Sequence, residues 1–211
     1  MIFILCMTGL SSLLYAGEPG PEKAASTGAY TLVKTDQNIS IYTKWIPMNE
    51  TVSTRKVKAV FSVNAGIDEV LTLIARDGSY VKWMSGVSEY TRVKSVDAAH
   101  WYSYIKYGLP WPLADQDCII KYEVERSGDG KTAHVMVTGQ PDYVPVKSKV
   151  TRIPHLECEW VIRQTGDGRV AIEFSQYSKQ APKFPRWVTD PIIQKTLIKT
   201  IVAFKSELEN S

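Results

Sequence analysis

Most of the chain alternates between hydrophobic and polar residues with a period of two, the pattern of strands that bury one face. Residues 39–45 and 54–63 alternate in this way. Six further segments alternate and are joined in pairs by short turns, which predicts three β-hairpins: 87–96 with 100–108, 118–126 with 132–139, and 157–165 with 169–179. Hairpins that follow one another along a chain form an antiparallel meander.

Two segments change to the period of a helix. A first helix is predicted after the N-cap Asn64, from an apolar face of four residues: Ile67, Val70, Leu71 and Ile74. A second is predicted over 186–208, from a longer apolar stripe: Trp187, Ile193, Leu197, Ile201, Phe204 and Leu208. A curved antiparallel sheet needs a cover over its concave face, and the last helix is the available cover.

We therefore predict an α+β fold in which a curved antiparallel sheet wraps around a long C-terminal helix. If the side chains between sheet and helix do not fill the space, an apolar cavity remains, and such cavities are common ligand sites. Composition agrees with a single globular domain, since 44% of the 211 residues are hydrophobic and 22% are charged. The net charge of +3 is too small to indicate a nucleic-acid partner.

The N-terminus has the pattern of a targeting segment. Residues 2–16 carry no charge, and this run is shorter than the roughly 20 residues of a membrane-spanning helix. It fits the apolar region of a secretory signal with Ala16 before the cleavage point, although the usual positive start is absent. We expect a signal peptide over 1–16, export to the periplasm or the exterior, a flexible leader over 17–29 and one domain over 30–211. The alternative is a disordered or anchoring N-terminal helix.

Residues that could carry covalent or metal chemistry are few. Cys118 and Cys158 lie on predicted strands that another strand separates, so we expect two buried, unpaired thiols. The histidines, His100, His134 and His155, share no metal-ligand spacing with one another, with cysteine or with carboxylates. No nucleophile elbow is visible either. We therefore assign no catalytic residue and expect neither a metal nor a cofactor.

Five segments match a set of framework motifs, which read Tyr80-Val81-Lys82-Trp83, Pro110-Trp111-Pro112-Leu113, Val150-Thr151-Arg152, Glu159-Trp160-Val161-Ile162 and Phe184-Pro185-Arg186-Trp187-Val188. In these segments, and over about 32–208, the chain resembles the START family, lipid-transfer domains of the helix-grip superfamily related to the steroidogenic acute regulatory protein. The resemblance implies a hydrophobic tunnel between the sheet and the C-terminal helix that holds one lipid-like molecule. The family commonly has arginine where this chain has Gln116, before Asp117, so we expect a structural ion pair to be missing there.

Alternation along the strands and along the last helix predicts which residues line the tunnel: Tyr122, Arg152, Trp160, Ile172, Phe174, Gln176, Trp187, Ile193, Leu197 and Ile201. Three of these, Tyr122, Arg152 and Gln176, are polar groups that could orient the head of a ligand. An inward Arg152 would favour an anionic head group. An exposed Arg152 would favour a neutral sterol-like or fatty ligand.

Three functions remain open at this point. The first is a non-enzymatic, monomeric carrier or sensor that binds a lipid or other hydrophobic molecule and makes transient contact with a membrane. The second is a cyclase or hydrolase that uses the same pocket, for which Asp117 and Glu173 are the candidate carboxylates. The third is a protein-interaction module whose cavity is vestigial.

Overall fold

The computed structural model of the protein describes residues 28–47, 53–109, 114–166, 168–179 and 186–210. The predicted signal peptide, the leader up to residue 27, and the Pro110–Leu113 corner lie outside these ranges. No helix within them is long and apolar enough to cross a bilayer.

Within these ranges the chain forms ten strands and three helices in the order β1 (Thr31–Asp36), β2 (Ile39–Pro47), β3 (Ser53–Val63), α1 (Ile67–Ala75), α2 (Tyr80–Trp83), β4 (Val87–Ser95), β5 (His100–Tyr107), β6 (Asp115–Arg126), β7 (Thr132–Gly139), β8 (Val150–Arg152), β9 (Glu157–Gly166), β10 (Arg169–Tyr177) and α3 (Arg186–Glu209). The strands form one sheet in the order β1-β2-β3-β10-β9-β7-β6-β5-β4, with β8 paired to β6. All pairs are antiparallel except β6 with β8.

The three predicted hairpins are confirmed as the pairs β4–β5, β6–β7 and β9–β10. A further hairpin, β1–β2, turns at Gln37 and Asn38, which both have positive φ angles. The first and last parts of the sheet meet where β3 pairs with β10, so that Val63 lies opposite Val170 and Val57 opposite Gln176. Strands that follow one another along the chain are therefore neighbours in the sheet, except at this junction and around β8.

The inner face of the sheet carries the core. Val57, Ala59 and Phe61 of β3 are buried because alternate side chains of a strand point to the same side. The side chains between them are charged or half-buried. Ile172 and Phe174 of β10 are buried on the same face, opposite Phe61 and Ala59. The three helices cover this face, and α3 contacts both α1 and α2.

The N-cap of the first helix lies two residues later in the chain than predicted. Gly66 is the N-cap, and its backbone N–H donates to Glu69 Oε2 at 2.6 Å. Asn64 instead accepts a hydrogen bond from Arg169 Nε through its side-chain oxygen, at 3.1 Å. The predicted apolar face is confirmed, since Ile67, Val70 and Ile74 are buried.

Candidate functional site

An internal cavity lies between the sheet and the region of α2. Ten described residues line it: Tyr80, Met84, Ile105, Ile120, Tyr122, Val137, Leu156, Cys158, Trp160 and Phe174. The cavity has a volume of about 20 Å³. One water molecule needs a cavity of roughly 10–15 Å³, so this cavity has room for one. Pockets for small organic ligands have volumes of about 300–1,000 Å³. As the described residues form it, this cavity is therefore far too small for the lipid-like molecule that the resemblance implies.

An aromatic cluster lies beside this cavity, between α3 and the inner face of the sheet. Phe204 of α3 is fully buried, and its ring centroid lies 5.0 Å from that of Trp83 and 5.3 Å from that of Trp160. Trp160 also packs on Phe174 at 4.6 Å, and Phe204 meets Phe61 edge-on at 6.4 Å. These five rings join α2, α3 and the inner face of the sheet. A ligand that enlarges this cavity towards α3 must displace part of this cluster.

Buried tyrosines form the polar part of the cavity wall. The Tyr122 hydroxyl donates to the Tyr80 hydroxyl at 2.9 Å, and the Tyr80 ring stacks on Tyr90 at 4.2 Å. The Tyr107 hydroxyl, close by, donates to Met84 Sδ at 3.9 Å. Burial raises the pKa of Tyr80, Tyr107 and Tyr122 well above its ordinary value. The phenols are therefore uncharged at any physiological pH.

Three of the residues predicted from the sheet, Tyr122, Trp160 and Phe174, line the cavity. Ile172 and Gln176 lie on the same face of β10, one on each side of Phe174 along the strand. Both are buried, at 0% and 5% exposure, but neither is among the described lining residues. Whether any of these residues binds a ligand stays a prediction.

The predicted residues of α3 do not line the cavity. Leu197 and Ile201 are buried in the core, and Ile193 packs at its margin. Trp187 was placed on the same stripe, which is wrong, because its side chain is 79% exposed. It precedes Ile193 by six residues, so at about 100° per residue it lies some 120° from that side of the helix.

Arg152 was predicted as a possible head-group ligand, and its position in the structure argues against that role. The parallel pairing of β8 with β6 places it in register with Asp117. Its Nε and one terminal nitrogen donate to the two carboxylate oxygens of Asp117 at 2.7 and 3.2 Å. It also donates to the backbone carbonyls of Pro141, Val144 and Pro145. Asp117 thus has an arginine partner even though Gln116 replaces the family's usual arginine.

The candidate carboxylates of the enzyme hypothesis lie away from the cavity. Asp117 is fully buried in its ion pair with Arg152. Glu173 points to the outer face, where its carboxylate accepts hydrogen bonds from Lys58 at 3.0 Å and from Arg163 at 2.6 Å. The hydrogen bond from Lys58, with that from Arg163, lowers the pKa of Glu173.

Some lining residues were not predicted from the sequence. Ile120 and Cys158 share faces with the predicted Tyr122 and Trp160, so the same alternation could have added them to the site. Val137 lies opposite both Tyr122 and Cys158, which becomes evident only once the strand register is known. The other additional lining residues are Tyr80, Met84, Ile105 and Leu156.

The comparisons with known proteins agree on the fold. No family model matches the chain. An uncharacterised protein of Pseudomonas aeruginosa is 23% identical over 206 residues, 98% of both chains. A STAR-related lipid transfer protein of Xanthomonas axonopodis has a TM-score of 0.74 at 22% identity, covering 85% of this chain and 98% of that one. Human StAR-related lipid transfer protein 5 has a TM-score of 0.71 at 14% identity, covering 88% of each chain.

A more distant likeness is to the Zhui aromatase/cyclase of a Streptomyces species, with a TM-score of 0.53 at 11% identity over 74% of this chain and 94% of that one. The large curved sheet and the long last helix define a helix-grip protein of the α+β class. Within that class the chain has the START-like fold, as its sequence motifs predicted.

Replacing Arg152 by Met should destabilise the protein strongly. The substitution leaves the fully buried carboxylate of Asp117 without its cation, which costs about 3–5 kcal/mol. The free energy of unfolding from urea titration measures the effect. Arg126→Met is the matched control, since Arg126 pairs with the exposed Asp68, and a loss below about 1 kcal/mol is expected there. Equal losses in the two variants would contradict the structural role of Arg152.

The two core thiols should be unreactive in the native protein. Cys118 is buried and Cys158 partly buried, with β7 between their strands. Desolvation raises the pKa of Cys158 to about 12, and that of Cys118 rises in the same direction. At pH 8 the thiolate of Cys158 is then about a thousandfold scarcer than in an unfolded chain.

A Cys6→Ser variant allows this to be measured with Ellman's reagent, with the unfolded chain in guanidinium as the control. We expect two thiol equivalents to react rapidly only after unfolding. Because the pKa is raised in the folded state, the free energy of unfolding should also fall as the pH rises above about 9. Rapid reaction of one equivalent in the native protein at pH 8 would show that Cys158 is accessible and ionised.

Proposed function

We propose that the protein is a non-enzymatic binder, and carrier, of one lipid or other hydrophobic small molecule held between the sheet and the helices. The observation that carries this proposal is the apolar cavity between the inner face of the sheet and α2, lined by Ile120, Val137 and Phe174 among others. The names of two structural neighbours, both lipid transfer proteins, support the same class of ligand. Affinity would come from burial of apolar surface, at about 25 cal/mol per Å².

The two halves of α3 differ in how they are held. Between Trp187 and Thr196 none of the described side chains is buried, whereas Leu197, Ile201 and Phe204 are. Thr200 further fixes the second half, since its hydroxyl oxygen accepts a hydrogen bond from the Ser85 backbone N–H at 3.2 Å. Movement of the first half therefore costs less burial than movement of the second.

Pro191 separates the first turn of α3 from the rest. Proline has no N–H and so removes the hydrogen bond to the carbonyl four residues earlier, which makes this the natural place for the helix to bend. An ion pair between Arg55 of β3 and Asp190 holds the first turn to the sheet. We propose that the ligand is admitted when this pair opens and the first half of α3 swings outward.

The 140–149 segment is a less favourable route. Arg152 binds three of its carbonyls, the Tyr143 ring stacks on Tyr102 at 4.5 Å, and Lys147 Nζ lies 3.9 Å from the centre of the Tyr104 ring. Opening this segment would break several of these contacts together. Opening α3 at its start breaks one ion pair among the side chains that the structure describes.

The enzyme alternative keeps some support from the aromatase/cyclase neighbour. The titratable groups among the described cavity residues are Tyr80, Tyr122 and Cys158, whose raised pKa values keep them protonated. They are poor general bases at neutral pH. A ligand recovered with an altered mass after incubation would favour turnover over binding. Membrane contact, a monomeric state and export stay predictions from the sequence.

Filling the cavity should abolish binding. Val137 lines it and is 4% exposed, so Val137→Phe introduces a ring into the space a ligand must use. Overpacking of this kind costs about 1–3 kcal/mol of stability. Met136, the preceding residue, points to the outer face and is 38% exposed, so Met136→Phe is the matched control.

Native mass spectrometry for a co-purified ligand, and fluorescence titration with the neutral dye N-phenyl-1-naphthylamine, measure the effect. Wild type and Met136→Phe should bind equally, and a folded Val137→Phe should bind at least tenfold more weakly. Undiminished binding by Val137→Phe would place the site elsewhere. Failure of wild type to bind any hydrophobic molecule would refute the proposed function.

Weakening the hold on α3 should speed ligand uptake. Asp190→Asn removes the charge that pairs with Arg55, a partly exposed pair worth about 1 kcal/mol, so the open form becomes about fivefold more populated. Stopped-flow mixing with N-phenyl-1-naphthylamine should show a rate faster by a similar factor. Glu173→Gln removes the charge that pairs with Lys58 and Arg163 on the outer face and should leave the rate unchanged. An unchanged rate in Asp190→Asn would exclude this route.

A further inference from the structure

Two buried polar atoms next to the cavity lack hydrogen-bond partners. Among the described residues, neither Gln176 Oε1 nor Ser178 Oγ has one. The two residues are only 5% and 8% exposed, so bulk solvent reaches them little. Buried polar groups are nearly always satisfied in native proteins, and an exception calls for a polar partner such as a bound water, an ion or a ligand group.

Their position connects them to the cavity. Gln176 is in register with Cys158, which lines the cavity, and follows Phe174, another lining residue, by two positions on the same face. Ser178 comes two residues later, where its backbone carbonyl accepts a hydrogen bond from the Thr54 hydroxyl at 3.0 Å. A molecule that extends from the cavity along β10 therefore meets the two oxygens at one end.

The two described arginines considered for this end are already paired. Arg55 lies two residues from Val57, the partner of Gln176 across the β3–β10 pair, and it is held by Asp190. Arg152, the other arginine considered for an anionic head, is held by Asp117 and backbone carbonyls. Among the described residues, an anionic head would meet the lone pairs of Gln176 Oε1 and the carboxylate of Asp190, and the arginines beside them are already engaged. An unpaired buried charge of either sign is costly.

We infer that Gln176 and Ser178 form the polar end of the ligand site and accept a hydrogen bond from an uncharged head group. The ligand class is a hydrophobic molecule with a hydroxyl or amide N–H at one end, such as a long-chain alcohol, a hydroxylated polycycle or a fatty amide. This inference rests on the proposed function and specifies which hydrophobic molecules the site selects.

The test compares three ligands that carry different head groups on alkyl chains of the same length. Dodecan-1-ol, 1-methoxydodecane and dodecanoate are titrated against protein loaded with N-phenyl-1-naphthylamine. The alcohol can donate a hydrogen bond, the ether can only accept, and dodecanoate is charged. The measured quantity is the ratio of the alcohol and ether displacement constants in wild type and in Gln176→Met, which keeps the length of the side chain. A hydrogen bond to the amide should shift this ratio by about five- to tenfold between the two proteins.

Ser178→Ala should produce a smaller shift in the same direction. Gln164→Met, at an exposed position on β9, should leave the ratio at its wild-type value. Without ligand, Gln176→Met should melt at the same temperature as wild type or higher, because it removes an unsatisfied buried acceptor. That thermal result also shows that the variant is folded.

The outcomes distinguish a failure of the head-group inference from a failure of the proposed function. If the dye and all three chains bind but the ratio is the same in wild type and Gln176→Met, the head-group inference is wrong and the proposed function stands. Preference for dodecanoate in wild type would also overturn the inference. If wild type binds neither the dye nor any chain, the proposed function fails and the inference fails with it.

Discussion

Phe204 is the fully buried aromatic residue of α3, and its contacts with Trp83, Trp160 and Phe61 join α3 to α2 and to the inner face of the sheet. Each such aromatic contact is worth about 0.5–1.5 kcal/mol beyond the area it buries. Two of the clustered rings, Trp160 and Phe174, also line the cavity of about 20 Å³. Contacts that stabilise the packing of α3 therefore also limit the size of this cavity.

Sequence patterns predicted the meander and the last helix because these depend on local periodicity and on turns rich in glycine. They missed the β1–β2 hairpin, whose turn residues Gln37 and Asn38 adopt positive φ without glycine. They could not pair Arg152 with Asp117, because β8 has three residues and its parallel register leaves no periodic signal. Within the site, Tyr122, Trp160 and Phe174 followed from alternation, whereas Tyr80 lies on a helix of four residues, too short for a helical period.

The volume of the cavity was the least predictable feature, because it depends on how side chains from distant elements interlock. Alternation shows that a residue points inward but not whether a facing ring fills the space in front of it. The arginine that sequence reasoning placed among possible ligand contacts serves as a structural cation instead. Among the described residues, the wall of the cavity carries two phenols, one thiol and one indole N–H as its polar groups, and the amide of Gln176 and the hydroxyl of Ser178 lie beside it.

The pairing of β3 with β10 has a consequence for how the chain reaches this structure. Val63 and Val170 are roughly a hundred residues apart in sequence, so the ends of a very long loop must meet before the sheet can close. Topologies dominated by such non-local pairings fold slowly, on timescales of about milliseconds to seconds. During that interval the edges of the two half-sheets are exposed together with the apolar face that α3 later covers. The stage most prone to self-association therefore precedes closure of the sheet.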